Sequence, residues 1–183
     1  MKNSGILKDL TQIAQLHQWV KESTKTNVKF ELLWKGTRDG FKAATFHSKC
    51  DKKGPTLTVI KSQHDKVFGG FTSESWGFAG TGDPQSKKDH TAFIYSLTRN
   101  GKYAQQRNDN SIRDYSGFGP MFGCAPSNGR CDIFINDDCN MPDYNVCYAN
   151  RTYQLPPDAG DDFLAGSEGY SVKEIEVYAV KQV

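Results

Sequence analysis

The chain has 183 residues, of which 37% are hydrophobic and 12% aromatic, and its formal net charge is +2. This length is typical of one domain with its own hydrophobic core, and the composition excludes a disordered chain. No apolar run approaches the roughly 20 residues that span a bilayer, and the polar start leads into no signal-type apolar segment, so we expect no membrane insertion and a cytoplasmic or nuclear location.

The first third of the chain predicts two helices and a strand. Apolar residues at helical spacing over Ile6 to Lys21 predict an amphipathic helix, within about residues 5–22, with Ser4 as its N-cap. The alternating stretch Val28 to Trp34 predicts the first strand. Asp39 is placed to cap a second helix over Phe41 to Cys50, whose apolar residues fall on one face.

A hairpin is predicted next. Thr56 to Ile60 is rich in β-branched residues, and Val67 to Thr72 follows after a polar loop. Gly69 and Gly70 within the second strand indicate a close approach of a backbone or a ring, and Trp76 is near enough in sequence to supply that ring.

The remaining chain alternates short strands with long loops. Thr91 to Leu97 is apolar on both faces, which predicts a central strand, whereas Gln105 to Asp114 reads as a polar span. Strand character resumes at Cys131 to Ile135, the region from Asn136 to Gly169 is loop-dominated, and Ser171 to Val180 alternates as a half-exposed strand does. This order predicts an α+β fold, a central antiparallel β-sandwich of two sheets flanked by a few helices. We expect one domain over residues 1–183, with the sandwich core at about 28–181.

Several segments, in a fixed order along the chain, carry a family resemblance. They are Leu32 to Phe41, Phe46 to Asp51, Gly54 to Lys61, Phe68 to Trp76, Ala92 to Leu97, Gly119 to Gly123, Asp132 to Ile135 and Val172 to Tyr178. With these blocks the chain resembles the TLDc domain family over nearly its full length. It departs from the family pattern after Gly123, where Cys124 to Arg130 intervenes before the Asp-Ile strand.

The resemblance implies a β-sandwich flanked by helices. It also implies a role in resistance to oxidative stress and in binding the peripheral, cytosolic part of the vacuolar proton-pumping (v-type) ATPase. No catalytic residue set and no cofactor are implied. The sequence therefore predicts a protein-binding domain that is not an enzyme.

The charge is unevenly distributed along the chain. Residues 1–66 carry 13 Lys and Arg against 6 Asp and Glu, a net +7, and residues 67–183 carry 10 against 15, a net −5. Folding is expected to intermix these charges, but a basic face that binds nucleic acid is an alternative function. Its lysines are Lys42, Lys49, Lys52, Lys53, Lys61 and Lys66.

The five cysteines are an odd number, and in a reducing compartment they are expected to be free thiols. Four of them lie in one loop-rich region, but six or seven residues separate neighbours and the close pair of a structural zinc site is missing, so no metal site is predicted. These four are Cys124, Cys131, Cys139 and Cys147. Cys50 follows Lys49 and lies near His47, which makes it the candidate redox-sensing thiol in a second alternative function.

Other chemistry has weaker support. The histidines His47, His64 and His90 lie near Ser, Cys or Asp residues, but no G-x-S-x-G nucleophile motif accompanies them. Asp132, Asp137, Asp138 and Asp143 lack the twelve-residue calcium-loop pattern and are expected to form a solvated acidic loop.

Candidate contact residues for a protein partner follow from exposure and charge. The polar edge Ser73, Glu74 and Ser75 and the outward side chains Glu174 and Glu176 are predicted to contact the partner, because charged rims steer encounter. Trp76 is expected to be partly exposed at this edge.

Overall fold

The computed structural model describes residues 1, 4–77, 84–106, 110–125 and 129–183, so parts of three predicted loops, at 78–83, 107–109 and 126–128, lie outside it. The helices are α1 (Leu10–Thr24), α2 (Gly36–Asp39) and α3 (Ala43–Cys50). The strands are β1 (Val28–Lys35), β2 (Thr56–Ser62), β3 (Val67–Thr72), β4 (Gln85–Lys87), β5 (Phe93–Ser96), β6 (Gly101–Tyr103), β7 (Ile112–Asp114), β8 (Met121–Cys124), β9 (Cys131–Phe134), β10 (Asn145–Val146), β11 (Gly169–Tyr170) and β12 (Val172–Gln182).

The strands form two antiparallel six-stranded sheets, which confirms the predicted α+β sandwich. The first sheet has the order β1-β12-β2-β3-β5-β6, and the second has the order β11-β10-β9-β8-β7-β4. One core cluster contains residues of both sheets and of α3, including Phe46, Ile60, Phe122 and Ile133. A second cluster lies between the first sheet and α1, so the first sheet is covered on both faces. In the described ranges no helix is long and apolar enough to cross a bilayer.

Helix α1 begins later than predicted, and Ser4 is not its cap. The helix begins at Leu10, where the Asp9 side chain accepts a hydrogen bond from the Thr11 N–H at 2.8 Å. Ser4 instead accepts bonds from the N–H groups of Ile6 and Leu7, in a buried segment before the helix. The apolar residues of this segment belong to the core without being helical, which explains the misplaced start.

Asp39 does not cap α3 either. Its carboxylate accepts a bond from the Lys35 N–H at 2.9 Å, while Asp137, far along the chain, accepts the N–H of Ala43 at the start of α3. The predicted apolar face of the helix is confirmed, because Ala43, Phe46 and Cys50 are its buried residues.

The predicted β2–β3 hairpin is confirmed, but the ring against Gly70 is not that of Trp76. A Cβ on Gly70 would lie 2.6 Å from the Phe122 ring, and one on Gly69 would meet the Thr58 carbonyl. The partial exposure expected for Trp76 is also wrong. Its side chain is buried, and its indole N–H donates to the Thr56 hydroxyl at 2.8 Å.

Two strand predictions need further correction. β12 lies between β1 and β2 and is covered on both faces, so it is not half-exposed. The alternation itself is right, since Ile175 and Val177 pack into the core between the sheets and Tyr178 faces the other way. Within the span predicted to be polar, β7 forms and pairs with both β4 and β8.

Candidate protein-binding surface

The loop between β9 and β10 presents two large apolar side chains to solvent. Its tip, residues 140–144, is exposed and lies between the buried residues Cys139 and Asn145. Met141 and Tyr144 in this tip are each 51% exposed. We call residues 136–144 the Met141 loop. Methionine and tyrosine are enriched at protein interfaces, which distinguishes this loop from an ordinary polar connection.

Asn145 fixes the base of the Met141 loop. The Asn145 side-chain N–H₂ group donates to the backbone carbonyls of Cys139 at 2.6 Å and Tyr170 at 2.8 Å. The side-chain oxygen of Asn145 accepts a hydrogen bond from the Asn136 N–H at 3.0 Å. The Cys139 carbonyl also accepts a bond from the Val172 N–H at 3.0 Å. The two ends of the loop are therefore tied together and to β12.

Further contacts hold the loop against α3 and within itself. The Cys139 N–H donates to the Phe41 carbonyl, and Asp137 accepts the N–H of Ala43. The Asn136 side chain donates to the Tyr144 carbonyl at 3.1 Å. A loop held in one conformation loses little conformational entropy when it binds, which favours its use in recognition.

The loop also carries two aspartates close to Met141 and Tyr144 in the chain. Asp138 and Asp143 both have a left-handed backbone, with φ of 48° and 51°, and Asp143 is exposed beside Tyr144. Lys42 lies 3.5 Å from the Asp138 carboxylate, and both side chains of that pair are solvent-accessible. The surface suits a partner with an apolar pocket and cationic groups around it. The sequence predicts a solvated acidic loop here from Asp137, Asp138 and Asp143, but not a binding surface. The sequence signal for such a surface is Met and Tyr among acidic and polar residues.

Glu174 and Glu176 do not face solvent, so the prediction that they are outward contact residues is wrong. Glu176 is fully buried and accepts bonds from the Ser4 hydroxyl at 2.6 Å and the Gly5 N–H at 2.5 Å. The Glu174 carboxylate accepts a hydrogen bond from the Thr37 N–H at 3.0 Å and another from the Thr37 hydroxyl. These carboxylates hold the N-terminal segment and α2 onto the sheet and are unavailable to a partner.

The predicted polar edge at Ser73 to Ser75 is mostly used within the fold. The Ser73 N–H and hydroxyl both donate to Asp89, and the Ser75 hydroxyl accepts the Gly54 N–H at 3.1 Å. Glu74 alone of the three has an exposed side chain.

Asp89 organises this edge as a hydrogen-bond acceptor. Besides Ser73, the hydroxyls of Thr72 and Thr91 donate to it, each at 2.7 Å. Burial acts to raise the pKa of Asp89, but the bonds from Thr91, Thr72 and Ser73 outweigh burial and leave this pKa below its ordinary value. The carboxylate is therefore a structural anion.

Cys50 has the wrong environment for a redox-sensing thiol. Its side chain is fully buried on the inner face of α3, and burial, together with the charge of Asp51, raises the pKa of the thiol far above its ordinary value. The expected thiolate stabilisation by Lys49 is wrong, because desolvation dominates.

The expectation of five free thiols is also wrong. Cys124 and Cys131 form a disulfide between the paired strands β8 and β9. Cys139 and Cys147 are free and buried, and burial raises the pKa of Cys139 to about 12. Across the described residues no three His, Cys, Asp or Glu side chains group as metal ligands do.

Of the four aspartates considered for calcium, Asp132 lies buried in β9, apart from Asp137, Asp138 and Asp143 in the Met141 loop. Asp132 is buried and accepts the N–H groups of Arg151 and Thr152 at 3.0 and 2.7 Å, and burial raises its pKa to about 7. His47 lies between the Asp51 carboxylate at 2.8 Å and the Tyr115 carbonyl at 3.0 Å, so both ring nitrogens bond within the fold.

Part of the basic first third is neutralised locally. Lys49 lies 3.8 Å from Asp39 and Lys61 lies 3.1 Å from Asp65, in addition to the pair made by Lys42. Three of the six lysines proposed for nucleic-acid binding thus face carboxylates.

Comparison with known proteins gives a family and two informative relatives. The family model of the TLDc domain matches residues 1–181. The chain is similar to interferon-induced protein 44 of Homo sapiens, with 33% identity over 66 residues, which are 36% of this chain and 15% of that protein. It is also similar to MTOR-associated protein MEAK7 of Xenopus laevis, with 24% identity over 188 residues, which cover 100% of this chain and 39% of that protein. The chain thus spans well under half the length of either relative.

Proposed function

The chain belongs to the TLDc domain family, and from this premise we propose that it is a non-catalytic protein-binding domain of the oxidative stress response. Its proposed partner is the peripheral, cytosolic part of the v-type proton ATPase, which the family resemblance suggests. This function requires a cytoplasmic location. TLDc domains are in general protein-interaction modules, so the coarse role rests on the family and the choice of partner is the proposal.

The observation that carries a binding role is the Met141 loop. Met141 and Tyr144 are half-exposed although the loop that bears them is tied down at both ends by Asn145. Exposing large apolar groups costs free energy in water, and ordered apolar groups at a surface mark interaction sites. Central aromatic anchors of this kind commonly contribute 2 kcal/mol or more to binding, by order of magnitude.

The electrostatics of the loop suggest what the partner surface contains. Asp143 lies between Met141 and Tyr144 in the chain, and Asp138 precedes them and pairs with Lys42. Residues 67–183 together carry a net −5. An apolar pocket with Lys or Arg at its rim would complement this loop. Rim charges act mainly on the association rate, which therefore is expected to fall as salt rises.

Direct binding tests the proposal. The purified peripheral sector of the v-type ATPase is immobilised, and the binding of the wild-type domain is compared with that of the double variant Met141→Ser, Tyr144→Ser by biolayer interferometry. The double variant is expected to bind on the order of 100-fold more weakly, since two anchors are lost.

A matched control uses Leu10→Ser, because Leu10 is an apolar residue that is 80% exposed at the start of α1. This variant is expected to bind as the wild type does. If no form of the domain binds the sector, the proposed partner is wrong. If the loop variant binds normally, the partner stands and the contact surface is wrong.

A further inference from the structure

Strand β1 forms one outer edge of the first sheet. In the sheet order β1-β12-β2-β3-β5-β6 it pairs with β12 on one side, and no strand of the described residues pairs with its other side. An unpaired sheet edge can add a strand of another chain through its backbone N–H and C=O groups, so this edge is a candidate interaction surface.

The hydrogen-bond pattern shows which residues of β1 direct their backbone groups out of the sheet. The register pairs Phe30 with Val180 of β12. The Val180 N–H donates to the Pro55 carbonyl at 2.9 Å, on the side of β12 that faces away from β1. In an antiparallel ladder both residues of such a pair direct their N–H and C=O groups away from each other. The backbone groups of Phe30, and by alternation those of Val28 and Leu32, therefore point outward at the edge.

The outward stretch is short, and the fold sets both of its ends. It begins at Val28, where β1 begins. The ladder with β12 becomes irregular after Leu32, and the Arg38 side chain donates to the Leu33 carbonyl at 3.2 Å. The edge available to another strand is therefore residues 28–32, with Phe30 at its centre.

Helix α1 approaches the start of this edge without closing it. The His17 ring lies 4.4 Å from the Phe30 ring, between centroids, and bonds to the Val28 carbonyl, which keeps a second lone pair for another donor. An open groove of about 370 Å³, lined by residues of α1 and by Asn27 and Val28, lies beside the strand. A second strand therefore has access to the edge.

The exposed side chains of the edge carry opposite charges on either side of its centre. Lys29 and Glu31 are exposed and project from the face of β1 that does not pack on α1. Among the residues that the structure describes, neither side chain has an ion-pair partner. The register also places Lys29 opposite Lys181 of β12, which is a like charge. A strand that presents a carboxylate to Lys29 and an ammonium group to Glu31 would complement this edge.

We propose that β1 is the contact strand of a symmetric homodimer, in which β1 of a second copy of this chain adds antiparallel with Phe30 at the two-fold axis. Phe30 then exchanges both backbone hydrogen bonds with Phe30 of the second copy, and Val28 does so with Leu32 of the second copy. Lys29 lies opposite Glu31 of the second copy, and the two-fold axis repeats this contact. These charged residues form non-hydrogen-bonded pairs with Cα atoms about 4.5 Å apart, which is close enough for their side chains to pair.

The order of the charges favours a second copy over an edge that is only protected from pairing. Protected edges commonly carry lysine, which repels another copy of the same edge. Here the two charges have opposite signs and are equally distant from Phe30, so the edge is complementary to itself. A shift of the register by two residues would place Lys29 opposite Lys29, or Glu31 opposite Glu31, so the charges also select the register. The contact uses no residue of the Met141 loop and is independent of the partner proposed above.

Analytical ultracentrifugation over a series of protein concentrations tests the dimer. The wild-type domain is expected to dimerise with a dissociation constant on the order of 100 µM, because the pairing stretch is short. Lys29→Glu and Glu31→Lys each place like charges opposite each other at both pairs, so each is expected to weaken the dimer on the order of tenfold. The double variant Lys29→Glu, Glu31→Lys restores opposite charges and is expected to dimerise as the wild type does. Circular dichroism confirms that each variant is folded.

Two results of this experiment would overturn the proposal. The first is a wild-type domain that stays monomeric at millimolar concentration, which would leave the edge to a strand of a different protein. The second is a set of variants that does not follow the charges, with single variants that dimerise normally or a double variant that does not recover.

Disulfide crosslinking tests the register. Lys29→Cys and Glu31→Cys proteins are mixed under oxidising conditions, and the mixed dimer is expected to form rapidly, because the Cα separation of about 4.5 Å lies in the range that a disulfide spans. The control replaces Glu31→Cys by Lys181→Cys, since Lys181 is exposed on the next strand and lies outside the proposed contact. Equal crosslinking of Lys29→Cys with both proteins would mean random encounter and would contradict the proposed pairing.

Discussion

Replacing Glu176 by glutamine is expected to destabilise the domain strongly, although the change removes one charge and almost no volume. The side chain is fully buried on β12, and its two oxygens face donors on all sides. Besides Ser4 and Gly5, the Tyr178 hydroxyl donates to it at 2.6 Å, and the Lys35 ammonium lies at 3.4 Å. A glutamine would direct an amide N–H₂ group at donors and leave the lysine without a full counter-charge.

The magnitude follows from these contacts. A hydrogen bond to a charged group contributes roughly 1.5–3 kcal/mol, and removing one partner of a buried ion pair costs about 3–5 kcal/mol. The contacts are not additive, because the Ser4 and Tyr178 hydroxyls both donate to Oε2, and an amide oxygen in that position keeps both bonds. The amide N–H₂ group then faces the Gly5 N–H and the Lys35 ammonium, which are the contacts that are lost. We therefore expect Glu176→Gln to lower the free energy of unfolding by about 3–5 kcal/mol, and Tm by about 10 °C for a domain of this size.

Urea unfolding followed by tryptophan fluorescence measures this change. Glu31→Gln is the matched control, because Glu31 is an exposed glutamate on the neighbouring strand β1 and should change stability by less than about 0.5 kcal/mol. If the two variants unfold at the same urea concentration, the buried carboxylate does not hold the N-terminal segment as described.

Three further stability predictions follow from the sandwich. Gly70→Ala would place a Cβ 2.6 Å from the Phe122 ring. The free energy of unfolding, measured in urea, is therefore expected to fall by about 1–3 kcal/mol. The hydrogen bonds from Thr91, Thr72 and Ser73 lower the pKa of Asp89 below its ordinary value, so the ionised carboxylate stabilises the fold above the pKa that an unfolded aspartate has. The loss of stability in Asp89→Asn is therefore expected to shrink in urea unfolding as the pH is lowered from about 6 to below about 4. Replacing both Cys124 and Cys131 by alanine removes a crosslink between residues with a sequence separation of 7. The free energy of unfolding is expected to fall by about 2–3 kcal/mol, because the unfolded chain gains conformational entropy. An unchanged free energy of unfolding would mean that the crosslink does not restrain the unfolded chain.

The sequence pattern predicted elements that depend on neighbours along the chain. The hairpin of β2 and β3 follows from β-branched residues on either side of a polar turn, and the inner face of α3 follows from helical spacing. The many short strands predict the sandwich, and the family resemblance implies the same fold. These features need no knowledge of distant contacts.

Most of the failures involve contacts that local sequence patterns do not describe, several of them with partners far away in sequence. The alternation predicts the two faces of β12 correctly, but it also predicts that Glu176 faces solvent, because its partner Ser4 lies 172 residues away. Ser4 and Asp9 are equally good helix caps by residue type, and the contact with Glu176 decides between them. The Cys124–Cys131 pairing likewise depends on the register of β8 against β9.

The candidate surface was not predictable from periodicity, because a loop has none. Met141 and Tyr144 are distinguished only by their exposure, and that exposure is maintained by the side chain of Asn145 and the contact of Asp137 with α3. The structure is needed to tell that these two apolar residues are exposed, because other apolar residues in loops are buried.

Site-specific photo-crosslinking tests the central claim most directly. The photoreactive residue p-benzoylphenylalanine is placed at position 144, or at position 10 as the control, and each protein is irradiated with the purified peripheral sector of the v-type ATPase. The Met141 loop is expected to crosslink to a subunit of the sector from position 144 and not from position 10. Crosslinks from position 10 with none from position 144 would contradict the assignment of this loop as the binding surface.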